Sequence, residues 1–187
     1  MILISVISSV KPDKLTKTLR LRNGQIVSEP GGHMVLGMVK VIMIACLLGL
    51  AEVIHGLNKN HALCYGIPKG SSDGFEAEIK AEKMLTEYDD AIARSNHYFE
   101  YNHDGPGVIM LDYDPKDGEE PLSKDELVNK IRSAVPELQD VKMLWIPSAS
   151  SNIYDRETGE QLAGNRGQRL YMIVKRGSDI PEIGKTI

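Results

Sequence analysis

Apolar and polar positions along the chain change period several times, and each change marks an element. Leu15 to Arg22, then Asn23-Gly24, then Gln25-Ile26-Val27 predicts a hairpin, because Asn-Gly supplies the positive φ angles of a two-residue turn. A flexible Gly31-Gly32 loop follows. Val39 to Ile44 is rich in branched residues and predicts a strand, and Cys46 to Leu57 has the spacing of a helix ending at Gly56 or Asn58. His61 to Ile67 reads as a second strand closed by the polar loop Pro68-Lys69-Gly70-Ser71-Ser72. Asp73 then stands as the cap of a helix whose apolar residues Phe75, Ile79, Leu85, Tyr88 and Ile92 recur at nearly helical period up to about Asn96.

The second part of the chain is punctuated more sharply. Val108 to Leu111 is an apolar strand, and Ser123-Lys124-Asp125-Glu126 has the spacing of a capping box. Leu127, Ile131 and Val135 supply the apolar stripe of the helix it starts, which stops before Pro136. Met143 to Ile146 and Leu170 to Val174 are two further strands, separated by the long polar segment Pro147 to Gly167 with Asp155-Arg156-Glu157-Thr158-Gly159 near its tip. Strands and helices mix without strict alternation. The class expected is therefore α+β, a mixed or antiparallel sheet flanked by helices, and the 187-residue length favours a single domain over 1–187.

Composition narrows the classes. With 42% hydrophobic and 26% charged residues the chain is that of an ordinary globular protein rather than a disordered one. A net charge of −4 supplies no global field toward nucleic acid, so any such binding must come from local patches. Two are visible: Lys11, Lys14, Lys17, Arg20 and Arg22, and later Arg166, Arg169, Lys175 and Arg176. Cys46 and Cys64 lie far apart, with no CxxC pair and no histidine at ligand spacing, which argues against structural zinc and fits a reducing cytoplasm. The apolar stretch Met34 to Ile54 has nearly the length of a membrane span, but Lys40 and Glu52 interrupt it, and a strand followed by a core helix is the reading preferred over a membrane protein. No GxGxxG or GxxxxGK[ST] motif is present.

Candidate chemistry centres on Gly107-Val108-Ile109-Met110-Leu111-Asp112-Tyr113-Asp114-Pro115. On a strand, the two-residue period puts Asp112 and Asp114 on one face, where carboxylate oxygens can hold Mg²⁺ or Mn²⁺. A strand that simply ends in a turn has the same residues. Ser148-Ala149-Ser150-Ser151-Asn152 and Gly167-Gln168-Arg169-Leu170-Tyr171 could grip a triphosphate through hydroxyls, amides and a guanidinium, or could be a polar loop beside an edge arginine. Arg94 could reach phosphate, or could complement the dipole at the end of its expected helix.

In this order, an apolar strand ending in DxD, a helix, a serine-rich strand exit and a Gly-Gln-Arg-x-Tyr strand, the chain resembles the catalytic domain of the archaeo-eukaryotic primase superfamily. The likeness is greatest to the primase-polymerase domains of phage and plasmid replication proteins. It extends through Lys14-Leu15-Thr16-Lys17, Ala62-Leu63-Cys64-Tyr65-Gly66-Ile67 and Asp179-Ile180-Pro181, and so covers most of the chain. The resemblance implies an RRM-like catalytic core and a nucleotidyltransferase that joins nucleotides on a DNA template. It implies metal binding by Asp112 and Asp114, nucleotide binding by Ser150, Ser151 and Arg169, and a template or phosphate contact by Arg94. A replicative helicase domain or protein is an implied partner.

The departures are specific. Arg169 stands where much of the superfamily has histidine, and neither a third acidic motif nor a helicase domain is visible by Ile187, so the core is expected to be incomplete at its C-terminal end. A non-catalytic nucleotide- or DNA-binding replication module and a metal-dependent nuclease are the alternatives.

Overall fold

The computed structural model describes residues 1–116 and 118–186, which cluster into two compact units: Met1–Val108 with Ile173–Thr186, and Ile109–Met172. The fold is α+β, mostly strands, with open sheets of mixed direction.

The first unit is built on β1 (Ile2–Lys11), the ribbon β2 (Thr18–Arg22) and β3 (Gln25–Glu29), β4 (Leu36–Ile44), α1 (Leu47–Gly56), β5 (His61–Cys64), β6 (Ile67–Pro68), β7 (Glu76–Lys80), β8 (Ile92–Ala93) and β9 (Phe99–Glu100). Five of these strands form one sheet in the order β5-β1-β4-β7-β8, antiparallel except for the last pair. Register explains its core. Ile7 lies opposite Val39 and Ala62, Val39 opposite Ala77, and Ile79 opposite Gly37, so these residues share one face. Ile7, Val39, Ile79 and Phe99 are buried there against Met34, Cys64, Ile92 and Tyr98. Each such side chain contributes about 1.5–3 kcal/mol on leaving water.

On the opposite face Ile2 and Ile4 pair with Ile44 and Ile42. α1 turns back onto that end of β4, where Leu50 is fully buried and the bare Gly49 faces the Ile44 side chain. Further along this face the pairing becomes ionic, with Lys40 opposite Glu76 and their side chains 2.8 Å apart. α1 is not the core helix expected: Leu50 is its buried residue and Leu48 remains 69% exposed. Among the described residues no helix is long and apolar enough to cross a membrane.

The hairpin is confirmed in detail. Asn23 and Gly24 have φ of 51° and 76°, and Arg22 faces Gln25 across the turn. Residues 73–96 overturn the expected helix. They form β7, a single 3-10 turn at Glu82–Met84 and the short β8. Glu76-Ala77-Glu78-Ile79-Lys80 alternates every second residue, and pairing with β4 puts Ile79 in the core. The apparent helical spacing came from residues doing unrelated things: Ile79 and Ile92 are partners in parallel strands, whereas Tyr88 is 88% exposed. The expected strand His61 to Ile67 is likewise divided, between β5 and β6.

The loop between these strands is tied by Asp89. Its carboxylate takes the Lys80 ammonium and accepts from the Thr86 amide at 2.8 Å and the Thr86 hydroxyl at 3.0 Å. These partners, Lys80 first, hold its pKa down at about 2. A folded-state pKa below the unfolded one means stability that is fully present above about pH 4 and lost as pH falls toward 2. In urea melts across that interval, Asp89→Asn should lose less stability on acidification than the parent chain; parallel curves would remove Asp89 from the acid response.

Candidate functional site

The second unit carries the candidate chemistry on three strands: β10 (Gly107–Tyr113), β11 (Leu144–Pro147) and β14 (Gln168–Val174), in the order β10-β14-β11. Between them come α2 (Lys124–Ala134) and the small hairpin β12 (Ile153–Tyr154) and β13 (Gln161–Ala163). α2 starts at the expected capping box, Ser123 and Glu126 each bonding the other's backbone amide, and Leu127 is its buried anchor. The expected tip also forms: Asp155 accepts from the amides of Glu157 and Thr158 at 2.8 Å, and Gly159 takes a φ of 73°.

Alternation along β14 divides its residues between two faces. Gln168, Leu170 and Met172 point one way and are buried, while Arg169 points the other. Gln168 is a polar side chain with no exposure at all, and both ends of its amide are satisfied. Its Oε1 accepts from Trp145 Nε1 at 2.7 Å, and its Nε2 donates to the Leu122 carbonyl at 2.7 Å. Asn165 Nδ2 donates to the same carbonyl at 2.9 Å, and the Leu122 amide donates to the Tyr113 hydroxyl at 3.3 Å. This clasp joins β10, the segment before α2, β11 and β14 through Leu122 and Gln168, a role that the place of Gln168 in the Gly-Gln-Arg-x-Tyr motif did not convey.

On the other face the expected residues meet. Arg169 Nε donates to Asp112 Oδ1 at 3.2 Å, with both side chains a little under half exposed. Asp114 lies one strand period further on, over Gly167. A Cβ at that glycine would stand 2.3 Å from Asp114 Oδ1 and 2.7 Å from Ser148 Oγ, so the missing side chain is what lets a carboxylate and a hydroxyl converge there. Gly167 thus opens the Gly-Gln-Arg-x-Tyr motif for a steric reason that its place in the sequence does not convey.

The serines have divided roles. Ser151 is buried; its hydroxyl donates to the Gly167 carbonyl at 2.7 Å and accepts from the Arg166 amide at 3.0 Å. It ties the two loops together, with the Ser148 amide donating to Gly167 O at 2.8 Å. Ser150, half-buried, meets the Ser148 hydroxyl at 2.9 Å. Ser148 is therefore the hydroxyl beside the acid, Ser150 its neighbour, and Ser151 the support. Arg94 belongs to the first unit, where it is exposed, follows β8 rather than a helix, and lines a cavity of about 360 Å³ with Ile7, Met34, Ala62 and Glu82.

Magnitude decides what the Asp112–Arg169 pair can do. A partly exposed ion pair contributes only about 0–1 kcal/mol. It keeps both groups in place yet yields readily to a better partner for either one. Asp112 and Asp114 offer oxygen ligands only, which suits a hard cation; Mg²⁺ commonly takes one or two carboxylates with substrate phosphates and water. Among the described residues no group of three or more His, Cys, Asp or Glu is positioned to hold a metal. No family model, curated protein or solved structure matches the chain.

The clasp gives a direct test. Gln168→Ala strands the Trp145 N–H and leaves the Leu122 carbonyl one donor fewer. A buried donor without a partner costs about 1–3 kcal/mol, and loss of at least that much in a urea melt is expected. A change under about 0.5 kcal/mol, the range of ordinary surface substitutions, would show that the clasp does not support β14.

Proposed function

We propose that the second unit handles a nucleoside triphosphate together with divalent metal, as part of a primase-polymerase-type nucleotidyltransferase that acts on a DNA template in phage or plasmid replication. The observation that carries this reading is the Arg169 guanidinium 3.2 Å from Asp112, on the strand face where Asp114 and the Ser148 hydroxyl converge over Gly167. Acid oxygens for a cation, a fixed guanidinium for phosphate and hydroxyl donors are the parts that positional and electrostatic catalysis of phosphoryl transfer uses.

In this reading Asp112 and Asp114 are the metal ligands, and Arg169 exchanges Asp112 for a phosphate oxygen when the triphosphate arrives. The exchange costs little, because the resting pair is weak and partly solvated, and the arginine fork suits phosphate. Ser148 and Ser150 donate to phosphate oxygens, while Ser151 and Gln168 keep the loop and strand in register. Bound Mg²⁺ or Mn²⁺ supplies charge neutralisation and lowers the pKa of the attacking hydroxyl. The reaction joins a 3′-hydroxyl oxygen to the α-phosphorus as its proton passes to water, breaks the bond from that phosphorus to the bridging oxygen and releases pyrophosphate.

A second reading has its own observation. Asp112 is already paired with Arg169, and among the described residues no group of three or more His, Cys, Asp or Glu is placed to hold a metal, which suits a module that binds nucleotide without incorporating it. Template-dependent incorporation with Mg²⁺ or Mn²⁺ separates the two. For the enzyme, Asp112→Ala and Asp114→Ala should each abolish incorporation, and Arg169→Ala should weaken triphosphate binding by about 10- to 100-fold, the worth of a hydrogen bond to a charged group. Incorporation that survives both aspartate changes would remove the metal role. Metal-dependent triphosphate binding with no incorporation by the parent chain would leave the binding module.

A further inference from the structure

The Thr18–Glu29 ribbon is outside everything assigned to the acid–arginine face. β2 and β3 pair only with each other. Their base is rooted, since the amides of Leu15 and Thr16 donate to the Lys59 carbonyl and the Gly32 amide donates to Lys14 O. Gly31 sits so close to the Leu15 carbonyl that a Cβ there would overlap it at 1.8 Å. Beyond this base, residues 20–25 are all exposed. A two-stranded hairpin alone is marginally stable in water. This one is held by its Asn-Gly turn and by Glu29, whose two carboxylate oxygens take Arg20 Nε at 3.0 Å and Arg22 Nη2 at 2.9 Å.

Its charge runs against that of the rest of the molecule. The ribbon with its root, residues 11–29, holds Lys11, Lys14, Lys17, Arg20 and Arg22 against Asp13 and Glu29, a net +3 in a chain whose other residues sum to −7. The structural acids do not cancel this: Glu29 serves two arginines, and Asp13 is met by another cation, Lys59, at 3.0 Å. Register puts Arg20 and Arg22 on one face of the ribbon with Glu29, and Leu19, Leu21 and Ile26 on the other.

We propose that this ribbon is a DNA-binding arm that contacts the phosphates of a duplex without reading its sequence. A two-stranded β-ribbon fits the major groove of B-DNA, whereas the deep, narrow groove of A-form RNA does not admit side chains. Residues 11–29 include no aromatic side chain, so the arm has no platform for stacking the bases of a single strand. Its tip, Asn23-Gly24-Gln25, is polar and lacks the apolar or aromatic wedge with which a membrane-seeking hairpin would enter lipid. The inference stands on the arm's own charge and shape and does not require the acid–arginine site to be catalytic.

The test measures anisotropy of a short fluorescein-labelled duplex with the full chain in EDTA, without nucleotide, across about 50–200 mM salt. Binding should weaken with a log–log slope of about −0.9 for each phosphate neutralised. Arg20→Gln with Arg22→Gln should flatten that slope by about 2 units. Glu29→Gln breaks the same two ion pairs but removes a negative charge, and should bind the duplex more tightly; a purely structural role would make both variants weaker. Unchanged affinity and slope in the double variant, tighter binding to the single strand than to the duplex, or binding to phosphatidylserine–phosphatidylcholine vesicles but not to DNA would each overturn the proposal. In the parent chain, duplex binding without incorporation would fail the nucleotidyltransferase reading alone, and incorporation without duplex binding would fail this one alone.

Discussion

Gln168 is an amide taken wholly out of water, and a polar group in that position is tolerable only if both of its ends are bonded. Trp145 supplies the donor and Leu122 the acceptor, so the strand, its neighbour and the segment ahead of α2 must come together for either bond to form. The geometry of the opposite face follows. With Gln168 locked inward, the period of two turns Arg169 outward, beside Asp112. The buried network thus serves position as much as stability, and the chemical face inherits its register from residues that never touch it.

The outward face combines weak and strong elements in a way that suits exchange. Ser151, the Ser148 amide and Gly167 form a closed set of short bonds that leaves the loop little freedom. The Asp112–Arg169 pair is partly solvated and only marginally favourable. A site that must take up and release a charged ligand needs a rigid frame around groups whose mutual attraction is small, and this face has both.

The two units solve their polar problems differently. In the first, β1 and β4 bury branched residues on each face and leave ionic pairs such as Lys40–Glu76 at the solvated end. Its ribbon carries Arg20 and Arg22 on two strands that, among the described residues, hydrogen-bond as a sheet only with each other. In the second, a smaller sheet buries Leu170 and Met172 beside the amide of Gln168, which is bonded at both ends.

Local features were legible from residue order alone. Asn23-Gly24 dictates its turn through φ, Ser123 and Glu126 cap α2 within a single turn, and Gly107 to Tyr113 has an apolar run and period that suffice for a strand. The proximity of Asp112 and Arg169 was expected only through a resemblance in motif order, because residues 57 apart share no local signal. What the chain order could not convey was the partner of each segment. Residues 73–96 looked helical until pairing with β4 claimed Ile79, since the free energy of joining a sheet outweighs a weak periodic preference. Gln168, Gly167 and Ser148 stood in the sequence only as neighbours of Arg169 and of the other serines, and their roles arise from contacts with Trp145, Asp114 and one another that exist only once the strands have paired.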